Sequence, residues 1–315
     1  MLSKKEANVI AGKYGLGEIK EFSLIQGGLL NYNFLFKTDK GEFIVRILGS
    51  ELDKKKKDKL KTEFKVLNFL DKNNFPYSVP IPILNKHKKE IYDLNDKKLW
   101  VYKKLEGNRV WNLNNAKFKE IPKALAIYHK FVSKLKVKEN FSFYDFDWLV
   151  QEYKKMKKVK PKNKIDKLML ENIDFFEKYL LEYNKIDLRK DIIPAHSDFS
   201  KSNMLFKDNK IVAFLDFDNL EIAPKIKDVA YSIKQSCFRK DYRLNKNKMN
   251  LFLREYKKYS KLTKEEEKAI IPLIILDNCL VFWWFYREMK KKLDKQYVLM
   301  LYTIKTTKNL VNELK

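Results

Sequence analysis

Residues 193–220 read IPAHSDFSKSNMLFKDNKIVAFLDFDNL, and the interpretation of this stretch decides what the rest of the chain must be. The apolar run Ile192-Ile193-Pro194-Ala195 enters a polar loop, Met204-Leu205-Phe206 resumes strand character, Asp208-Asn209-Lys210 turns the chain back, and 211–215 returns as a second strand. His196, Asp198 and Asn203 form an H-x-D-x-x-x-x-N array before this hairpin, and Asp216-Phe217-Asp218 follows it. The spacing predicts that Asp198, Asn203 and Asp216 converge at the hairpin's mouth.

These residue types suit phosphoryl transfer, whose loose transition state is stabilised by positioning and charge neutralisation rather than by bonds to protein. Asp198 is the candidate catalytic residue: it accepts a hydrogen bond from an acceptor hydroxyl and takes its proton late. Asn203 and Asp216 offer an amide oxygen and a carboxylate to magnesium, a hard cation that keeps several waters and bridges phosphates. Asp218 joins them as a metal ligand if the strand runs on, whereas a bend would turn it elsewhere. His196 is expected to brace the loop by hydrogen bonding, and Asp228 to fix it from a helix starting near Pro224.

Upstream, Ser3 and Glu6 make an S-x-x-E capping box for a short helix that ends at Gly15 and Gly17. Strand-like alternation then covers 18–25, 30–38 and 42–48, with Asp39-Lys40-Gly41 as a hairpin turn. Gly27-Gly28 lies where a bare backbone can approach phosphate oxygens, although any tight turn uses such a pair. Arg46 projects from the third strand, opposite Phe43, Val45 and Ile47, and is the candidate for the α and β phosphates. Glu63, on a helix over 53–71, is its candidate partner or else a plain surface glutamate. Pro76, Pro80 and Pro82 exclude regular helix over 75–83. Strands over 90–94 and 99–103 complete a sheet of about five, and the backbone of Val101, Tyr102 and Lys103 is the candidate purine contact at a hinge. The predicted fold is therefore α+β: a nucleotide-binding lobe over 1–103 with a small antiparallel sheet, and a larger, mainly helical catalytic and acceptor-binding lobe over 104–315.

In the second lobe, helical spacing covers 121–138, 145–157 and 164–183. His129 reads as a packed or surface histidine rather than a ligand. The apolar segment 269–286 approaches the length of a membrane span, but Pro272, Asp277 and Asn278 interrupt it, so a buried helix and no span is expected. The start, MLSKKEANVIAGKYGL, has no continuous apolar signal core, which makes a cytoplasmic location the default. Cys237 and Cys279 are too few and too far apart for a disulfide framework or zinc site. The 67 Lys and Arg against 41 Asp and Glu, net +26, make a field that attracts anions; the cations are mostly dispersed lysines without clustered arginines and an aromatic platform, so a nucleic-acid partner is not expected. Composition says nothing of oligomeric state.

His196-Ser197-Asp198 through Asn203, Leu215-Asp216-Phe217-Asp218, Asp228 twelve residues after Asp216, Gly27-Gly28-Leu29 with Asn31, and Val45-Arg46-Ile47 together resemble the aminoglycoside phosphotransferase and choline kinase superfamily, small-molecule kinases with a protein-kinase-like, bilobal fold. Arg46, where kinases usually carry Lys, is most similar to the choline, ethanolamine and homoserine kinase branches. Ser197 stands where the family usually has Gly. The resemblance implies ATP or GTP as donor, Mg2+ as cofactor, and a small-molecule hydroxyl as acceptor. It also implies an acceptor pocket in the helical lobe, for which Trp148, Asp277, Trp283, Trp284 and Tyr286 are candidates. Two alternatives stay open: a kinase of a protein or spore-coat-like polymer, and a catalytically silent protein binding a nucleotide or polyanion.

Overall fold

The computed structural model describes residues 2–25, 31–49, 53–137, 147–184, 186, 190–289 and 293–314, so Gly27 and Gly28 lie outside the described residues. The chain forms two compact units, Met1–Val110 with Asn203–Asp218 and Trp111–Ser202 with Asn219–Lys315.

Helix α1 (Lys4–Tyr14) begins where the Ser3 hydroxyl accepts the Glu6 amide and the Glu6 carboxylate accepts the Ser3 amide, and it ends at Gly15 with φ +66°. Strands β1 (Ile19–Ile25), β2 (Tyr32–Thr38), β3 (Gly41–Ile47), β4 (Ile91–Leu94) and β5 (Lys97–Lys103) make one antiparallel sheet in the order β1-β2-β3-β5-β4. The period of two splits its residues between faces. Phe34, Phe36, Val45, Ile47, Leu99 and Val101 share one core with Ala7, Ile10, Ala11 and Tyr14 of α1. Arg46 and Trp100, paired in register, take the other face, where Phe64 of α2 (Lys54–Lys72) meets Trp100 edge-on at 5.2 Å. Leu60, Phe64, Val66, Leu67 and Leu70 of α2 are buried, each contributing about 1.5–3 kcal/mol.

The second unit starts with α3 (Asn115–Val132), six residues before the expected 121–138. Asn114 caps it by accepting the Lys117 amide at 2.8 Å, and Pro122 lies inside it. Helix α4 (Asp147–Lys157) follows. The predicted helix over 164–183 is two helices, α5 (Lys164–Leu170) and α6 (Ile173–Tyr183), because Asn172 leaves helical geometry at φ −122° and returns its side-chain amide to the Leu168 carbonyl.

Strand β6 (Ile192–Ala195) leads to the loop, and a 3-10 turn (Lys201–Asn203) opens the hairpin of β7 (Met204–Lys207) and β8 (Lys210–Phe214). The hairpin belongs to the first compact unit, tied there by Ser78, whose amide donates to Val212 and whose carbonyl accepts from Phe214, both at 2.9 Å. Gly107, φ +104°, packs on it so closely that a Cβ would stand 2.8 Å from Val212 and 3.0 Å from Leu205.

Strand β9 (Glu221–Pro224), absent from the sequence reading, pairs antiparallel with β6 and feeds α7 (Lys225–Ser236), which starts where the Pro224 signal placed a helix. Helices α8 (Lys246–Lys257), α9 (Lys264–Arg287) and α10 (Leu293–Leu314) complete the unit. Helix α9 is long and apolar enough to cross a membrane by length and composition. It is instead packed within its unit: Phe282 stacks on Phe176 of α6 at 4.2 Å, the Tyr153 hydroxyl donates to the Cys279 carbonyl, and Asn278 donates to Thr307 of α10. Both cysteines are buried and free.

Candidate active site

The loop after β6 is held from below. Asp228, fully buried on the first turn of α7, accepts the amides of His196 on Oδ2 (2.8 Å) and Ser197 on Oδ1 (2.7 Å). His129 of α3 approaches the same Oδ2 at 3.2 Å through Nε2, and its Nδ1 lies 2.7 Å from the Tyr256 hydroxyl of α8. A carboxylate only accepts, so Nε2 carries the proton and Nδ1 accepts from Tyr256. Burial pushes the His129 pKa down despite the carboxylate, so the contact is a neutral imidazole's hydrogen bond rather than an ion pair. Burial opposes the charge of Asp228, yet His129, His196 and the Ser197 amide outweigh it and hold its pKa below the usual value.

This grip forces Ser197 into the left-handed region, φ +59°, and leaves its hydroxyl buried without a hydrogen-bond partner. The next residue, Asp198, receives the Tyr231 hydroxyl on Oδ1 at 2.7 Å. Tyr231 stands one helical turn beyond Asp228; burial, then Asp198, pushes its pKa far up, which keeps it a donor.

In the first unit the chain leaves β8 and bends at Asp216, φ +63°. The bend brings both Asp216 and Asp218 to Arg46. Nη2 lies 3.0 Å from Asp216 Oδ1 and also bonds Asp218 Oδ2, which the Asn31 amide caps as well. The Leu215 amide donates to the Asn203 carbonyl at 2.8 Å, tying the two ends of the hairpin together. The Arg46 guanidinium stands 6.0 Å over the Trp100 ring. Burial works against its charge, and Asp218, Asp216 and Glu63 more than compensate, raising its pKa.

Glu63, read from the sequence as a partner of Arg46 or else a plain surface glutamate, is buried. Its Oε1 has no hydrogen-bond partner, and its charge, when it is ionised, favours the Arg46 guanidinium. Burial, then Asp218, pushes the Glu63 pKa up to about 8. Arg46 reaches the two aspartates instead, because the bend at Asp216 carries both carboxylates to it.

At the end of β5, the Val101 carbonyl already accepts the Ile83 amide at 2.8 Å, and the Lys104 amide donates to the Glu42 carbonyl at 2.9 Å. Antiparallel alternation then turns the backbone groups of Tyr102 toward Ile44 of β3 and those of Lys103 away from it.

The acceptor candidates fall into separate groups. Trp283 meets Trp148 edge-on at 5.0 Å and donates its indole N–H to Glu152 at 3.2 Å. Tyr286 donates to Asp166 at 3.0 Å, and half-buried Trp284 lies edge-on to Phe285. Asp277, six residues before Trp283 and thus about 120° round the helix, instead meets Lys234 of α7 at 2.5 Å. Sequence reasoning missed Tyr231, Lys234 and Tyr256 and read His129 as a packed or surface histidine; none has a neighbour in sequence that signals its partner.

Among the described residues no group of three or more His, Cys, Asp and Glu side chains is placed to hold a metal. Asp216 and Asp218 share one guanidinium and carry carboxylate oxygens of the kind a hard cation takes, and the Asn203 carbonyl accepts the amide of Leu215, the residue before Asp216.

A family model described as "Phosphotransferase enzyme family" matches residues 21–262. The chain is 24% identical over 267 residues to a homoserine kinase from Bradyrhizobium diazoefficiens, covering 83% of this chain and 77% of that one. In structure it is similar to an amicoumacin kinase in complex with AMP-PNP and Ca2+ (TM-score 0.73, 17% identity, 99% of this chain and 94% of that one). It is also similar to a microcompartment-associated aminopropanol kinase (TM-score 0.70, 13% identity, 98% and 97%). The mixed α+β fold, an N-terminal antiparallel sheet followed by a mainly helical part, is that of these protein-kinase-like enzymes.

Proposed function

The chain belongs to the phosphotransferase enzyme family, and from that premise we propose that it moves the γ-phosphoryl group of ATP or GTP to a hydroxyl of a small molecule. The observation that carries this reading is Asp198 receiving a hydroxyl hydrogen bond, from Tyr231 at 2.7 Å, on a loop whose backbone is fixed by Asp228. A carboxylate so held is preorganised to receive an acceptor hydroxyl in the same way. The acceptor oxygen bonds the γ-phosphorus, the bond to the β–γ bridging oxygen breaks, its electron pair leaves with the nucleoside diphosphate, and the proton passes to Asp198.

In this proposal residues 1–103 form the nucleotide side. Arg46 contacts phosphate with Glu63 behind it, Gly27-Gly28 approach the phosphates, and Lys103, beside Val101 and Tyr102, offers the open backbone edge to the base. Asn203, Asp216 and Asp218 would hold Mg2+, which would supply charge neutralisation at the phosphates. His196 and Asp228 support the loop. Residues 104–315 carry Asp198 and the acceptor side, with Trp148, Asp277, Trp283 and Trp284 as lining candidates. A cytoplasmic location belongs to the same proposal. The homoserine kinase relative favours a small acceptor over a polymer.

A nucleotide-consumption screen over homoserine, choline, ethanolamine, aminopropanol, methylthioribose, sugars and aminoglycosides tests class and acceptor together. Asp198→Asn is expected to abolish turnover while nucleotide binding survives; undiminished turnover in that variant would sink the assignment. Asp216→Ala is expected to weaken magnesium-dependent nucleotide binding, and an unchanged magnesium response, measured by calorimetry, would place the metal elsewhere.

A further inference from the structure

Helix α9 is apolar along most of its length, yet it carries Asp277 in its middle. That carboxylate is shielded, 16% exposed, and meets Lys234, 12% exposed, at 2.5 Å. The pair joins α9 to α7, where Lys234 lies three residues beyond Tyr231 and so on the same helical face. Tyr231 donates to Asp198 at 2.7 Å, and its hydroxyl lies in the field of Asp277 as well, with the Gln235 amide beside it. One face of α7 thus presents, in succession, a hydroxyl on the reactive carboxylate and a matched pair of opposite charges.

Charge balance decides what such a place accepts. A cation alone, drawn to Asp277, would leave the shielded Lys234 ammonium without its counter-charge, and an anion alone would strand Asp277; either loss is costly in a site withdrawn from water. A molecule carrying both charges can exchange with the pair and leave every charge matched. Its hydroxyl would then repeat the hydrogen bond Tyr231 makes.

Resting on the phosphotransferase reading, we propose that Lys234 and Asp277 select a zwitterionic acceptor, a hydroxyl-bearing amino acid, whose ammonium pairs with Asp277 and whose carboxylate pairs with Lys234 while its hydroxyl replaces Tyr231 on Asp198. The bonds made and broken in transfer are those given above. Tyr231 is a positioning residue in this scheme: it holds Asp198 oriented until the acceptor arrives.

The test uses three probes that differ in charge: L-homoserine, 3-aminopropan-1-ol, which lacks the carboxylate, and 4-hydroxybutyrate, which lacks the ammonium. Binding is read by calorimetry with a non-hydrolysable ATP analogue and Mg2+, and transfer by nucleotide consumption. The full chain is expected to bind and turn over homoserine at least tenfold better than either single-charge probe. Lys234→Met should cut homoserine binding about 10- to 100-fold while leaving aminopropanol no worse, and Asp277→Asn should do the same relative to hydroxybutyrate. The charge-swapped double variant Lys234→Asp/Asp277→Lys keeps an ion pair between the helices, so it should melt near the wild type and still lose homoserine. Equal losses for all three probes, or full recovery of homoserine binding in the swap, would show that the pair only ties α7 to α9 and overturn the proposal. A preference for aminopropanol overturns it too. If homoserine binds as expected but no phosphoryl group moves, the phosphotransferase reading fails and the recognition stands; if the nucleotide analogue binds and homoserine does not, the recognition fails alone.

Discussion

Replacing Asp228 by Asn changes almost no volume and tests how the loop is held. In the wild type three N–H groups converge on two carboxylate oxygens: His196 and His129 on Oδ2, Ser197 on Oδ1. Asn has one acceptor oxygen. With it turned toward His196 and His129, the new NH2 faces the Ser197 amide; turned the other way, it faces the His196 amide. His129 can change tautomer and Tyr256 can rotate to follow, but a backbone amide can do neither. At least one buried amide is therefore unpaired, at about 1–3 kcal/mol, and each retained bond loses its charge assistance, about 1 kcal/mol. Neutral Asn is easier to bury than a carboxylate, which returns part of this, so a net loss of about 2–3 kcal/mol is expected. Urea unfolding at pH 7 would show it as a lowered midpoint at unchanged slope. Because Asp228 is held below its ordinary pKa, its advantage is complete above the usual aspartate range and fades as pH falls through and below it, so the gap between wild type and variant should close in acid. A loss below about 0.5 kcal/mol at pH 7 would refute the claim that this carboxylate organises the loop.

Two further outcomes follow from the same geometry. Ser197→Gly removes a left-handed non-glycine residue, about 1–2 kcal/mol, and an unpartnered hydroxyl, against a glycine entropy cost of about 0.5–1 kcal/mol. A rise in melting temperature is expected, and a fall would mean the hydroxyl has a use. Burial pushes the Glu63 pKa from the ordinary glutamate range up to about 8, so the folded state holds its proton between the two and stability should decline as pH rises through that interval. Glu63→Gln should flatten that decline in unfolding midpoints between pH 5 and 9; an identical slope would locate the pH dependence elsewhere.

What could be read from sequence was local. The Ser3–Glu6 box, the alternation in β2 and β3, the Asp39-Lys40-Gly41 turn and the β7–β8 hairpin each depend on residues within a few positions of one another, and each appears within a residue or two of its expected bounds. The errors share the opposite character. Strand β9 contains a proline and only four residues, and it exists because β6 lies opposite it. Helix α3 keeps Pro122 inside because Asn114 sets its start and the buried Phe118, Ile121, Ala124, Leu125 and Tyr128 along it offset the lost amide. In the candidate site, the types and spacing of Asp198, Asn203 and Asp216 were legible, but their partners were not. Tyr231 follows Asp198 by 33 residues and Arg46 precedes Asp216 by 170, and pairings at that range depend on packing that no periodicity encodes.

The grip of Asp228 on two backbone amides bears on how such a loop can vary over time. Amides are common to nineteen of the twenty residue types, so what the carboxylate holds is indifferent to the letters at 196 and 197. Side chains there can change while both hydrogen bonds stay, within two limits: proline has no N–H to give, and the left-handed backbone at 197 disfavours β-branched residues. The loop's geometry is then set less by its own side chains than by the acid twelve residues past Asp216, whose two oxygens both amides need.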